Sequence, residues 1–168
     1  ISFLLKATGA KRAIIGIEAN KKDAAERMCQ HIPTGLPVTV KTLPVKYPQG
    51  AEKMLVTALL NIEIPSGGLP ADVHVIVVNV ATAAEIGRLL PLGRGIQERV
   101  ITVTGPGVVK KGNYLIPIGT PLRFLLNEVG LTDDASSVFL GGPMMGQAVS
   151  SLDVPLTKGI SGVVVFRD

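Results

Sequence analysis

The chain has 168 residues, of which 46% are hydrophobic and 18% charged, and its formal net charge is +4. This composition predicts a globular protein with a substantial core and excludes intrinsic disorder. The basic residues lie in small pairs, and the chain has no Trp, four Phe and two Tyr to stack on bases, so we expect no nucleic-acid partner.

The first 95 residues alternate between predicted strands and helices. Strand patterns occupy residues 12–18, 37–44 and 73–78, and helical patterns occupy residues 21–32, 49–61 and 81–90. This alternation predicts an α/β layer with a parallel or mixed sheet. The run VHVIVV (73–78) is nearly continuous in β-branched residues, as in a central strand covered on both faces. Polar residues interrupt the apolar stretch around it, so we expect no transmembrane segment.

The two earlier helices have predicted apolar faces. In the first, which we expect Asn20 to cap, Cys29 lies on the stripe with Ala25, Met28 and Ile32. Core packing is therefore favoured over a nucleophilic role for this cysteine. In the second helix, the shared face contains Met54, Ala58 and Leu59. One cysteine and two distant histidines give neither a disulfide nor a metal-ligand spacing.

The pattern changes after residue 95. RVITVTG (99–105) and NYLIPIG (113–119) predict a hairpin, followed by a helix with Thr120 as its cap and Pro121 in its first position. The helix has an apolar stripe of Leu122, Leu125, Leu126 and Val129, and Gly130 ends it. SSVFLGG (136–142) adds a strand. This order predicts a small β-grasp domain.

The predicted fold class is therefore α/β, α+β overall, with an α/β layer in residues 1–95 and a β-grasp domain in residues 96–150. Residues 151–168 are expected to form a connecting loop and a returning strand, VVVF, which can join either sheet. We place the domain boundary near Gly95.

The stretch FLGGPMMGQA (139–148) has the glycines of a phosphate-binding loop but no helix after it. We therefore expect Gly141 and Gly142 to turn the chain as it leaves the β-grasp domain. Met144 and Met145 are expected to pack against the neighbouring layer.

Two places can hold a ligand. In KYPQGAEK (46–53), Tyr47 can lie along a flat ring, Gly50 can allow close backbone approach and Glu52 can accept hydrogen bonds; the alternative is a polar loop before a helix. Asn79 follows the predicted strand 73–78, and Thr82 lies in the helix after it. A flavin or nucleotide phosphate suits that position, whereas the alternative is that Asn79 only caps the helix.

Six segments in this order resemble the C subunit of the Rnf electron-transport complex, a relative of the flavin-bearing subunit of respiratory NADH dehydrogenase. They are KYPQGAEKML, PSGGLP, VVNVATAAEI, ITVTGPGVVKKGNYLIPIGTP, GGPMMG and VPLTKGISGVVVF. The resemblance covers nearly the whole chain. It implies a flavin-binding α/β layer followed by a β-grasp domain of the soluble-ligand-binding type.

By the same resemblance, the parent protein passes electrons between NADH, FMN and iron–sulfur clusters. Tyr47, Gly50 and Glu52 match a YxxGxE segment that lines the flavin and nicotinamide pocket, and Asn79 and Thr82 match an NVxT segment that touches the flavin. The implied partners are the other subunits of the complex and a ferredoxin-type carrier. The implied location is the cytoplasmic side of the bacterial inner membrane, reached through partner subunits.

The departures from the family pattern concern the pocket. Ala51 replaces the first of two glutamates, and Val78 replaces an asparagine. The glycine-rich flavin loop is expected upstream of Ile1, and the cysteines of the 4Fe-4S clusters downstream of Asp168. We therefore expect the 168-residue chain alone to be colourless and inactive. The alternative function is a noncatalytic β-grasp module that binds a small ligand, such as cobalamin, or a partner subunit.

Overall fold

The computed structural model describes every residue from Ile1 to Asp168. The chain divides into two compact units, residues 1–88 and 89–168. A two-stranded sheet lies in the first unit and a five-stranded sheet in the second. No helix has the length and apolar character needed to cross a membrane.

The first unit is built around a parallel strand pair. Its elements are α1 (Ser2–Thr8), β1 (Ala13–Glu18), α2 (Lys22–Gln30), β2 (Val38–Leu43), α3 (Glu52–Leu60), a 3₁₀ helix (Pro70–Val73) and α4 (Val80–Leu89). β1 and β2 pair from Ala13 opposite Val38 to Glu18 opposite Leu43. Because parallel neighbours need a crossover connection, α2 joins them as a βαβ unit.

Helix α3 packs on β1 through a glycine. A Cβ atom at Gly16 would lie 3.0 Å from Leu55 Cδ1 and 3.2 Å from Leu59 Cδ1, so the missing side chain allows the helix to approach. Val56 is buried on the same helix. The predicted face was wrong in two positions, because Met54 and Ala58 are exposed.

Two predictions for helix α2, its cap and the burial of its cysteine, were wrong. Lys21, not Asn20, precedes the first helical residue, and no side chain caps the helix. Cys29 is exposed, so the prediction that it packs in the core on the apolar stripe was wrong. Ala25, Met28 and Ile32 are each half-buried, which shows that the buried side of the helix is narrower than the sequence pattern indicates.

The predicted central strand 73–78 is not a strand. Val73 ends the 3₁₀ helix, and His74 turns the chain with a φ of 57°. Residues 75–78 join no strand ladder, and Ile76 is 63% exposed. β-branched residues favour an extended backbone, but a strand also needs a neighbour for its N–H and C=O groups. In this structure β1 and β2 pair only with each other.

The second unit is a β-grasp domain. Its elements are β3 (Glu98–Thr104), β4 (Gly112–Pro117), α5 (Leu122–Val129), β5 (Ala135–Leu140), β6 (Gln147–Ala148) and β7 (Gly162–Arg167), after a 3₁₀ helix (Leu90–Leu92). The sheet order is β4-β3-β7-β5-β6. β7 is parallel to β3 and antiparallel to β5. The predicted fold class, an α/β layer followed by a β-grasp domain, is confirmed.

The core of this unit lies between α5 and the sheet. The predicted stripe is buried in full, with Leu122, Leu125, Leu126 and Val129 between 0% and 4% exposed. These side chains belong to one cluster with Ile101, Val103, Val163 and Val165 from β3 and β7.

The start of α5 is held by a loop instead of by the predicted cap. Pro121 is the cap residue, and the Thr120 hydroxyl donates to the Pro117 carbonyl at 2.8 Å. The N–H groups of Leu122 and Arg123 donate to the carbonyls of Val154 and Leu152, at 2.9 and 2.8 Å. A loop backbone therefore satisfies the first donors of the helix, which side chains commonly do.

An ion pair joins the same loop to the helix. Arg123 donates from Nε to Asp153 Oδ1 at 2.7 Å and from Nη2 to Oδ2 at 3.0 Å. The hydrogen bonds from Arg123 lower the pKa of the Asp153 carboxyl below its ordinary value. The contact is on the surface, so its contribution to stability is small.

The segment 141–146 connects β5 to β6 within one sheet and is not a domain joint. Gly141 has a φ of 101°, and the Gly146 N–H donates to the Gly142 carbonyl at 2.7 Å. Met144 and Met145 are 72% and 83% exposed. The prediction that they pack against another layer was wrong, because the tight turn directs them away from the sheet.

We expect Leu126→Ala to lower the free energy of unfolding by about 2–5 kcal/mol, because it opens a cavity in the β-grasp core. Phe124→Ala, on the same helix but 59% exposed, should change it by less than about 1 kcal/mol. Urea unfolding followed by circular dichroism tests both variants. Equal losses in the two variants would contradict the core assignment.

We expect Asp153→Asn to reduce the acid sensitivity of the domain. The pKa of Asp153 is lowered on folding. The ion pair therefore stabilises the folded state above about pH 4, the pKa of an aspartate in the unfolded chain. This stabilisation is lost as the pH falls through the lower pKa of the folded state. Thermal midpoints of wild type and variant should therefore differ at pH 6 and converge at pH 2. Arg123→Gln should behave alike, and a difference that persists at pH 2 would refute this role.

Candidate functional site

The first candidate site is the turn before α3, residues 46–51, which we call the α3 turn. Its backbone is held by hydrogen bonds from Gln49 N–H to the Lys46 carbonyl and from Ala51 N–H to the Pro48 carbonyl, both 2.9 Å. Tyr47, beside a cis peptide bond to Pro48, is 61% exposed. Gly50 has no other atom within 4 Å of the place where a Cβ would stand. The turn therefore offers an aromatic ring and open backbone to solvent.

The start of α3 has no side-chain cap. Ala51 is the cap residue, with an extended backbone, and Glu52 is the first helical residue. Glu52 is exposed and makes no ion pair or side-chain hydrogen bond in the structure. Backbone N–H groups at a helix start attract negative charge. This end of α3 thus combines uncapped donors with a free carboxylate.

Gln49 is the functional candidate that the sequence did not reveal. It is only 4% exposed, and neither Oε1 nor Nε2 has a hydrogen-bond partner. A glutamine between proline and glycine has the pattern of an ordinary polar loop, so no sequence signal indicates burial. Unpartnered buried amides are rare enough to require an explanation.

The second candidate site is the start of α4. Asn79 Oδ1 accepts hydrogen bonds from the N–H groups of Ala81 at 3.0 Å and Thr82 at 3.4 Å. Asn79 is exposed and Thr82 is half-buried. Asn79 therefore caps α4, which was one of the two interpretations that the sequence allowed. The Nδ2 group of Asn79 has no partner in the structure and stays available as a donor.

The two groups lie in the same unit, each at a helix start. No hydrogen bond or ion pair joins Tyr47, Gly50 or Glu52 to Asn79 or Thr82. The α3 turn follows the carboxyl end of β2, at Leu43, which is the side of an α/β sheet where ligands usually bind.

An open groove of about 660 Å³ lies at the opposite, amino-terminal ends of β1 and β2. Its lining includes Arg12, Leu36, Lys41 and Leu59. Lys41 Nζ already donates a hydrogen bond to the Leu59 carbonyl at 3.2 Å. The groove is therefore a weaker candidate for a ligand site than the α3 turn. No cluster of three or more His, Cys, Asp or Glu side chains is arranged to hold a metal ion.

The residues of the α3 turn fit a flavin mononucleotide. An exposed aromatic side chain can stack on a flat heteroaromatic ring. Uncapped helix donors suit an anionic group. The Gln49 amide has unused donors and an unused acceptor, but both of its polar atoms are shielded from solvent in this structure.

Comparison with known proteins identifies both units. Residues 1–88 match the family model of the Nuo51 FMN-binding domain, and residues 100–148 match that of the SLBB domain. The chain is 41% identical over 165 residues to the C subunit of the proton-translocating ferredoxin:NAD(+) oxidoreductase complex of Clostridium ljungdahlii, covering 98% of this chain and 36% of that protein.

Two further relatives have similar names. The C subunit of the Na(+)-translocating ferredoxin:NAD(+) oxidoreductase complex of Acetobacterium woodii is 38% identical over 98% of this chain and 37% of its own length. The C subunit of the ion-translocating oxidoreductase complex of Vibrio cholerae is 40% identical over 88% of this chain and 19% of its own length. The chain thus spans little more than a third of these relatives, or less.

We expect Asn79→Ala to lower the free energy of unfolding by about 1 kcal/mol, because the cap of α4 is lost. Asn79→Asp keeps an acceptor at the same position and should retain most of the stability. Chemical denaturation of the three proteins measures the difference. If the alanine and aspartate variants were equally destabilised, capping would not be the structural role of Asn79.

Proposed function

Because this chain belongs to the Nuo51 FMN-binding domain family, we propose that it forms the central part of a flavin-dependent electron-transfer subunit of the ferredoxin:NAD oxidoreductase type. The parent subunit passes electrons between NADH, FMN and iron–sulfur clusters, including 4Fe-4S clusters outside this chain. One observation carries the proposal. The start of α3 has no side-chain cap and exposes Tyr47, Gly50 and Glu52, and all three lie within the residues that match the family model.

Each residue of the set has a physical role in this proposal. Tyr47 lies along the flavin ring, and Gly50 leaves room for the ring against the backbone. Glu52 accepts hydrogen bonds from the ligands, and Asn79 Nδ2 and the Thr82 hydroxyl add contacts from α4. When bound, FMN supplies the conversion between hydride and single-electron transfer. The protein's part is to hold and orient the ring.

The names of the relatives support a place in a membrane complex. They are subunits of ion-translocating oxidoreductase complexes that act on ferredoxin and NAD(+). We therefore propose that the partners are other subunits of such a complex and a ferredoxin-type carrier. The subunit would attach through these partners at the cytoplasmic side of the bacterial inner membrane.

The alternative of a noncatalytic binding module is not supported. The FMN-binding match covers residues 1–88, more than half of the chain. The SLBB domain of residues 100–148 accompanies that match and does not replace it.

We expect Glu52→Gln and Tyr47→Leu to raise the Kd for FMN or NADH about tenfold in the full-length protein, equivalent to about 1.4 kcal/mol of lost contact. Glu63→Gln is the matched control, since Glu63 is also exposed and in the same unit but lies in a loop. Flavin fluorescence quenching and NADH oxidation measure the two affinities. If both site variants matched Glu63→Gln, the α3 turn would be a polar loop without a ligand.

A further inference from the structure

The Gln49 side chain is an unsatisfied buried amide. Both of its polar atoms are shielded from solvent and lack partners, although the neighbouring residues Tyr47, Pro48, Gly50 and Ala51 are exposed. An amide removed from water without new hydrogen bonds is unfavourable. The observed arrangement therefore favours any rearrangement that gives the amide a partner.

The α3 turn is built to permit such a rearrangement. Two backbone hydrogen bonds, accepted by Lys46 and Pro48, lie within the turn, and one from the Leu55 N–H to the Ala51 carbonyl joins its end to α3. Gly50 has open space around it, and Tyr47 is more than half exposed. Moving the turn breaks no ion pair and no side-chain hydrogen bond.

We propose that Gln49 is a flavin-binding residue whose amide leaves its buried position and hydrogen-bonds the flavin ring when the α3 turn shifts. This inference rests on the proposed function. It adds a residue that the YxxGxE match does not assign, and it explains why a polar side chain is buried beside an exposed site.

The chemistry of the two groups is complementary. The pyrimidine edge of the flavin ring alternates carbonyl acceptors with one N–H donor. A primary amide presents N–H donors and a carbonyl acceptor side by side on one carbon atom. Gln49 can therefore both donate a hydrogen bond to that edge and accept one from it. An apolar side chain can do neither, and an ionised carboxylate can only accept.

The test replaces the amide with an apolar group of similar size. In Gln49→Leu, the unsatisfied group is gone, so the thermal midpoint of the flavin-free 168-residue chain should stay equal or rise by about 2–4 °C. In the full-length protein, the Kd for FMN should rise about tenfold. Gln30→Leu, at an exposed position of α2, should change neither value. Gln49→Met provides a second apolar variant if the branched side chain prevents folding.

The combination of results decides the inference. Weaker FMN binding with undiminished stability supports it. Unchanged FMN affinity overturns it, and so does a loss of stability, which would show that an internal water or the protein itself satisfies the amide. If the wild-type full-length protein does not bind FMN, the proposed function fails and this inference with it. Wild-type binding with an unaffected Gln49→Leu variant refutes the inference alone.

Discussion

The insertion of β7 between β3 and β5 is the constraint on which the β-grasp domain depends. β7 supplies parallel hydrogen bonds on one side and antiparallel ones on the other, so without it the sheet separates into two hairpins. Val163 and Val165 are fully buried against the stripe of α5. A side chain at Gly105 would collide with the Val165 backbone. The last strand of the chain thus closes the core that earlier residues began.

The first unit is organised differently. Its sheet has two strands, and few of its apolar side chains, among them Val38, Leu43 and Val56, are buried. It also contains the unsatisfied Gln49. Segments with few buried contacts open most easily, and binding sites are commonly drawn from them. The proposed ligand site lies in the first unit, where fewer apolar side chains are buried.

The two candidate helix starts differ in how their first N–H groups are satisfied. At α4, Asn79 already occupies two of the free N–H groups. At α3, no side chain does so, and the nearby carboxylate of Glu52 is free. The first N–H groups of α3 therefore stay without a side-chain partner, whereas the Asn79 side chain holds two of those of α4.

Local sequence determined the elements whose signals are local. The stripe of α5 follows from its helical spacing, and the β3–β4 hairpin follows from two strand patterns around a turn. Tyr47, Glu52 and Asn79 were selected by their positions at strand-to-helix junctions, and the family resemblance then supported the selection. Tertiary structure alone decided that residues 75–78 remain unpaired, that Cys29 and Met54 face solvent, and that Gln49 is buried. The physical reason is that pairing and burial depend on neighbours distant in sequence, whose positions no local pattern encodes.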